Sequence, residues 1–330
     1  MTKLMLLGLG RWGANHLRAL ASLPVELFAC DLQPEALKLA HNSGLPDDHL
    51  SRNYREFKDK VDAVVVVTSA ESHFDLCREF LEAGKDVFVE KPITLVAHEA
   101  RALAELADAR ARILQLGHVF RFDTATHWIR KAIQDGQFGE LRFLRSNFSG
   151  FKRPRNDSGI AFADAIHFVD LFNYLLETTP RRVTGVMRDF LGRGRGFEDA
   201  CLISLTYKTA AGEVWGIVET NYFLPGKTRE LVITGTRMSA VCDFNATQYK
   251  IETFANVHER QGSHIVAVEG ARSQIECPRA EPLLAELQAF LHSVESRQAP
   301  SADGWAGYQS VRVLEAAFES ARTGRTVELS

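Results

Sequence analysis

The feature that most restricts what this chain can become is Gly8-Leu9-Gly10-Arg11-Trp12-Gly13. It follows an apolar run, Leu4 to Leu7, that reads as a buried strand. It opens a helical pattern from Gly13 to Ser22. Glycines at these positions let a strand-to-helix turn close tightly and let backbone approach a pyrophosphate. The helix N-terminus adds a positive dipole end. Asp31 ends a second predicted strand, Val25 to Cys30, 23 residues after Gly8. A carboxylate there can accept hydrogen bonds from the adenine ribose hydroxyls and repels a 2′-phosphate, which favours NAD over NADP. The competing role for Asp31 is to cap the helix predicted from Pro34.

The alternation continues. Val61 to Val67, Asp86 to Val89 and Ile113 to Leu116 read as strands, with helices over Ser72 to Ala83 and Leu95 to Ala109. This order predicts an α/β Rossmann domain, a parallel doubly wound sheet, over residues 1–117. After Gly117 the pattern changes. One helix, about Thr124 to Asp135, precedes a series of longer strands: Leu141 to Phe148, Arg182 to Met187, Cys201 to Tyr207, Val214 to Asn221, Leu231 to Thr234 and Ala240 to Asp243. Residues 118–330 are therefore expected to form an α+β domain with a large, mostly antiparallel open sheet. A last helix, about 304–321, is expected to pack back toward the first domain. Arg193-Gly194-Arg195-Gly196 is the candidate mobile loop.

Composition narrows the function classes. A net charge of −3 gives no general reason to bind nucleic acid or an anionic membrane. No apolar run is long enough to span a bilayer, and the N-terminus does not read as a signal peptide. Five scattered cysteines, Cys30, Cys77, Cys201, Cys242 and Cys277, without CxxC spacing, predict buried thiols in a reducing cytoplasm and no metal site.

Three further stretches carry a resemblance: Thr68-Ser69-Ala70-Glu71-Ser72-His73, Glu82-Ala83-Gly84-Lys85 and Val89-Glu90-Lys91-Pro92. With the glycine loop, and in this order, they resemble the Gfo/Idh/MocA oxidoreductases. The likeness extends to Gly117-His118-Val119-Phe120-Arg121-Phe122 and to the last helix with its Ser320-to-Arg325 end. It implies a cofactor site built from Gly8, Gly10, Arg11, Trp12, Gly13, Asp31, Thr68, Ser69, His73, Glu90 and Lys91, with NAD as cofactor. It also implies that Lys91 stands beside the reacting carbon and that Arg121 contributes to the substrate side. A lysine at the C-terminal edge of a parallel strand lies at the usual ligand crevice and can stabilise alkoxide character as hydride leaves.

A predicted helix starting at Asp157-Ser158-Gly159 is largely apolar but carries Asp164, His167 and Asp170 at i, i+3 and i+6. Such a row must find partners. His167 is the candidate general base, since imidazole titrates near neutral pH. Asp164 or Asp170 is the candidate to orient it, as the acid does in a catalytic triad. Many members of the family carry Asp-x-x-x-His-x-x-Asp; here Ala163 occupies the place of the first acid and Asp164 follows it.

The substrate side is basic: Arg142, Arg145, Lys152, Arg153 and Arg155. If this stretch faces the cleft it suits phosphate groups; if it is a solvated edge strand it carries no such meaning. The segment from Tyr222 to Arg229, with Pro225, Lys227 and Arg229, resembles the nucleotide-sugar branch of the family. That branch implies oxidation of the C3 hydroxyl of UDP-N-acetylglucosamine ahead of an amination, 2-oxoglutarate as a recycling substrate, and a homodimer or homotetramer. The alternatives are an inositol- or glucose-type polyol dehydrogenase and a non-catalytic dinucleotide-binding sensor.

Overall fold

A computed structural model describes residues 1–329. In chain order the first elements are β1 (Thr2–Leu7), α1 (Gly13–Leu20), β2 (Val25–Cys30), α2 (Pro34–Asn42), β3 (Leu50–Ser51), β4 (Ala63–Val66), α3 (His73–Glu82), β5 (Asp86–Glu90), α4 (Ala97–Ala109) and β6 (Leu114–Gly117). The middle of the chain gives α5 (Thr124–Gln134), β7 (Leu141–Asn147), α6 (Ile166–Leu176), β8 (Arg182–Arg188), β9 (Ala200–Thr209), β10 (Gly212–Asn221), β11 (Glu230–Gly235) and β12 (Ser239–Asp243). The remainder is β13 (Tyr249–Phe254), β14 (Val257–Gln261), β15 (His264–Val268), β16 (Arg272–Glu276), α7 (Pro282–Ser296), α8 (Gly304–Thr323) and β17 (Val327–Glu328).

Six parallel strands in the order β3-β2-β1-β4-β5-β6 form the first sheet. The run Ala63–Val66 is buried at every residue because helices cover both faces of such a sheet. Strand order reverses between β1 and β4, so the segments after these strands open at the switch point where α/β proteins bind ligands. The second sheet has nine strands in the order β16-β13-β12-β11-β7-β10-β9-β8-β17. It is antiparallel throughout except where β7 lies parallel to β10. On β9 and β10 burial alternates: Cys201, Ile203, Leu205, Val214 and Val218 point inward, toward the side where the Phe172 ring of α6 lies against Gly216. The other face leaves Val186, Leu202 and Trp215 exposed.

Two compact units emerge, residues 1–122 with 281–311, and residues 123–280 with 312–330. The expected division at 117 is thus corrected at its far end. Everything after residue 118 is expected in the second domain, and α7 is not anticipated from the sequence. Leu283, Leu287 and Phe290 of α7 join the core formed by Leu4, Leu6, Leu17 and Phe88, and this holds the helix in the first unit. The first part of α8, to Val311, belongs there too. Strands β13 to β16 also escaped the reading. They are short, and β14, β15 and β16 are largely exposed, so they lack the apolar signal on which strand recognition depends.

The expected helix start at Asp157 or Ser158 is corrected as well. Asp157 receives both arms of the Arg155 fork, at 2.8 and 2.7 Å. The helical path begins at Ile160 and passes through a π-turn at Ala161–Ala165 before α6. The buried Glu198 caps it: Oε1 accepts the Ala161 N–H at 2.6 Å. The Arg193-to-Gly196 loop is tied rather than loose. Asp189 accepts the N–H groups of Arg193 and Gly194 at 2.9 and 2.8 Å, and the Arg193 guanidinium donates to the Arg155 and Ser158 carbonyls.

Within the second unit, Gly185 of β8 has no room for a side chain, since a Cβ would lie 2.2 Å from the Ala317 carbonyl oxygen of α8. Its N–H donates to Ser320 Oγ at 3.0 Å. Gly185→Val should therefore cost about 1–3 kcal/mol or more in denaturant unfolding, because the obstacle is backbone. Ser320→Ala should cost about 1 kcal/mol. Equal, negligible losses in both would contradict this packing.

Candidate active site

In the first unit the loop after β1 lies hard against the strand ends. Gly8 has φ +91°, and a Cβ there would stand 2.7 Å from Val67 O; at Gly13 a Cβ would stand 2.1 Å from Gly8 O. Both obstacles are backbone, so neither position admits a side chain. Around Gly10, by contrast, a Cβ would meet nothing within 4 Å. No side chain caps α1, which leaves its dipole end to an anion. These features fit the pyrophosphate of a dinucleotide. Arg11 and Trp12 are exposed on this loop.

Asp31 combines the two roles considered for it. Oδ2 accepts the Leu9 N–H at 2.6 Å and Oδ1 accepts the Gln33 N–H at 2.8 Å. The carboxylate thus fixes the glycine loop to the end of β2 and shapes the approach to α2, whose N-cap is Gln33. Each oxygen keeps a further lone pair for a ribose hydroxyl.

Glu90 ends β5 and is buried. Its Oε1 accepts from Trp12 Nε1 at 2.5 Å and lies 2.8 Å from His16 Nε2; its Oε2 accepts the Lys91 backbone N–H at 3.2 Å. Burial alone would raise its pKa. The His16 hydrogen bond and charge, the Trp12 hydrogen bond and the Lys91 charge outweigh burial and hold it below the ordinary value. Glu90 was expected to serve the cofactor directly; its carboxylate instead serves the loop and the lysine backbone. His16, to which the sequence reading gave no role, is fully buried against it. The only signal was its position three residues beyond the last glycine.

Lys91 is half-buried and precedes Pro92 through a cis peptide. His73, expected on the cofactor side, is buried between two carbonyls: Nδ1 lies 2.7 Å from Pro92 O and Nε2 3.1 Å from Thr68 O. It thereby joins the segment after β4 to the segment that carries Lys91. Thr68 Oγ1 bonds Ser72 Oγ at 2.7 Å, and Ser69 is exposed beside it. Arg121, expected to meet substrate, is buried with its guanidinium donating to the Ser301 carbonyl. That bond fastens the strand-end segment to the turn before α8.

In the second unit, chemistry gathers around the Phe148 ring. His167 stacks on it with centroids 5.4 Å apart and planes at 26°. Arg229 Cζ lies 3.3 Å from its centroid and Lys152 Nζ 5.2 Å from it. Lys152 donates to Asp164 Oδ2 at 2.7 Å. Asp164, expected to orient His167, is thus committed to Lys152, and it sits in the π-turn, where the simple i, i+3 geometry does not hold. Asp170 lies one turn further along α6, buried. Tyr222 is buried 5.5 Å below Lys152, with its hydroxyl pushed up to about 12 by burial and by the Asp164 charge.

The basic stretch divides. Arg142 and Arg145 are exposed on β7, which is the central strand of the sheet and not an edge. Arg153 and Lys227 are exposed. Arg229 differs from all of these. Only 9% exposed, its guanidinium donates to the carbonyls of Ser149 and Thr228, and among the described residues it has no ion pair. Burial lowers its pKa to about 10, partly offset by the more distant Asp164 charge. A buried cation without an anion is costly, and an anionic ligand would relieve it.

Comparison with known proteins agrees with these two halves. Residues 2–118 match the oxidoreductase family NAD-binding Rossmann fold, and residues 130–329 match the C-terminal alpha/beta domain of the same family. The inositol 2-dehydrogenase of Rhizobium meliloti is 27% identical, over 98% of each chain. The UDP-N-acetylglucosamine 3-dehydrogenase of Acidithiobacillus ferrooxidans is 26% identical over 79% of this chain and 78% of its own. In three dimensions the aldose-aldose oxidoreductase of Caulobacter crescentus superposes with a TM-score of 0.84 at 21% identity, covering 99% of both chains. Among the described residues no helix is long and apolar enough to cross a membrane.

Two outcomes follow for the first unit. Asp31→Ala should weaken NAD binding and narrow the preference over NADP, read by fluorescence titration with both reduced cofactors; unchanged affinity would remove the ribose contact. Glu90 has a folded pKa below its unfolded one, so its stabilisation is full above the ordinary carboxylate value and is lost as pH falls through the lowered value. Thermal melts taken from neutral pH down through the carboxylate range should show a shallower acid limb in Glu90→Gln than in the parent. An identical limb would contradict a charged Glu90.

Proposed function

The chain belongs to the Gfo/Idh/MocA oxidoreductase family, and we propose that within it this protein oxidises a secondary hydroxyl of a nucleotide-linked sugar, the C3 hydroxyl of UDP-N-acetylglucosamine. The observation that carries the charged-substrate reading is Arg229, a buried guanidinium without a carboxylate, beside the same Phe148 ring on which His167 stacks. An anion held there lies close to the candidate base. Arg153 and Lys227 supply further positive charge around the same segment for a diphosphate.

Bound NAD supplies the hydride acceptor. In this reading the Lys91 ammonium donates a hydrogen bond to the substrate hydroxyl oxygen and stabilises the negative charge that grows on it. His167 takes the hydroxyl proton, with Phe148 fixing the plane of its ring. Asp164 keeps Lys152 in place and so acts one step removed from the reaction. Asp170 then becomes the acid to test as the support of His167. A second copy of the chain covering the exposed Val186, Leu202 and Trp215 face would make a dimer or tetramer, and a 2-oxo acid such as 2-oxoglutarate would recycle the cofactor in the cytoplasm.

A free polyol is the second reading, favoured by the nearly full-length likeness to an inositol dehydrogenase. NADH formation with UDP-N-acetylglucosamine, UDP-glucose, myo-inositol and glucose, with and without 2-oxoglutarate, separates the two. Turnover confined to UDP-sugars is the expected result. In Arg229→Met the KM for the UDP-sugar should rise roughly tenfold to a hundredfold, the loss of about 1.5–3 kcal/mol typical of hydrogen bonds to charged groups. Turnover confined to polyols would discard the anion role of Arg229. Lys91→Ala and His167→Ala should each lose at least about a hundredfold in kcat with NAD still bound. Silence on every substrate, with cofactor bound, would favour a non-catalytic sensor.

A further inference from the structure

The Glu90 carboxylate touches both the dinucleotide loop and the backbone of the lysine proposed to act in the reaction. Its Oε1 holds Trp12, the residue before the last loop glycine, and His16 on the first turn of α1; its Oε2 holds the Lys91 N–H. His16 is fully buried, with Phe88 edge-on to its ring at 5.6 Å and Trp12 edge-on at 6.1 Å. An ionised carboxylate only accepts, so His16 must present Nε2–H toward it. Gly117 at the end of β6 closes the remaining side, where a Cβ would stand 2.9 Å from the carboxylate carbon and both oxygens. The carboxylate is therefore boxed in, and a displacement of the loop or of the strand end is transmitted to the other through it.

We propose that Glu90 and His16 are positioning residues that couple the seating of the dinucleotide on the glycine loop to the placement of Lys91. The inference rests on the reading of Lys91 given above. Glutamine in place of Glu90 keeps the size but has one accepting oxygen for three donors, so its amide must face at least one N–H. In His16→Leu the carboxylate stays buried and loses its main compensation, whereas His16→Gln can restore a donor.

The test is a set of variants read in two ways that a loss of general stability does not move: NADH affinity by fluorescence, and the primary deuterium isotope effect on kcat at saturating NAD. Glu90→Gln should weaken NADH about tenfold, lower kcat about tenfold or more, and raise the isotope effect as hydride transfer becomes limiting. His16→Leu should follow it, and His16→Gln should recover most of both losses. If Glu90→Gln fails to fold, the two His16 variants decide. A lowered melting temperature with NADH affinity and isotope effect both unmoved would overturn the coupling. So would a change in one readout without the other. Full turnover in Lys91→Ala is a different result: it would remove the assignment of the lysine itself.

Discussion

The close approach of the glycine-loop backbone to itself and to the strand ends beneath it sets what the rest of the first unit can do. Gly13 sits where any Cβ would strike the Gly8 carbonyl, and Gly8 sits where any Cβ would strike Val67. A loop packed that closely has no room for side chains at Gly8 and Gly13. It is fixed by acids reaching in from neighbouring strands: Asp31 from β2 through the Leu9 N–H, and Glu90 from β5 through Trp12. The strand order places these two acids on either side of the switch point. The same sheet edge thus carries the glycine loop, the Asp31 carboxylate and Lys91.

The second unit works with buried charge. Asp164 and Lys152 neutralise one another, while Arg229 lies buried with only carbonyls and an aromatic ring for company. The difference decides their chemical use. A paired charge orients its partner and little else. A buried cation without an anion is costly, and in the proposed reading that cost becomes part of the affinity for an anionic substrate. Phe148 joins these parts, with the imidazole and the guanidinium both against its ring.

Much of this was legible in the sequence where one local signal dominated. Val25–Cys30 is the strand expected, to the residue, because a short, mostly apolar run ending in an acid has few other interpretations. The tight turn of the glycine loop was readable from its glycine spacing. What escaped depended on distant partners. Nothing local to His16 announces Glu90, and nothing near Ile160 announces the Glu198 cap. Helix α7 carries its apolar residues for a core formed by the other end of the chain. Asp164 shows another limit: its spacing to His167 is plain in the sequence, but neither the π-turn in which it sits nor its ion pair with Lys152 is announced there.

Deuterium at the carbon to be oxidised tests the central claim most directly. UDP-N-acetylglucosamine labelled at C3 would be incubated with the protein and NAD, and the reduced cofactor analysed by mass spectrometry and by proton NMR of the nicotinamide C4. One deuterium delivered to a single face of C4 is the result expected of hydride transfer from a secondary carbinol. Reduced cofactor without label from any labelled sugar or polyol, or no reduction while NAD is demonstrably bound, would contradict it.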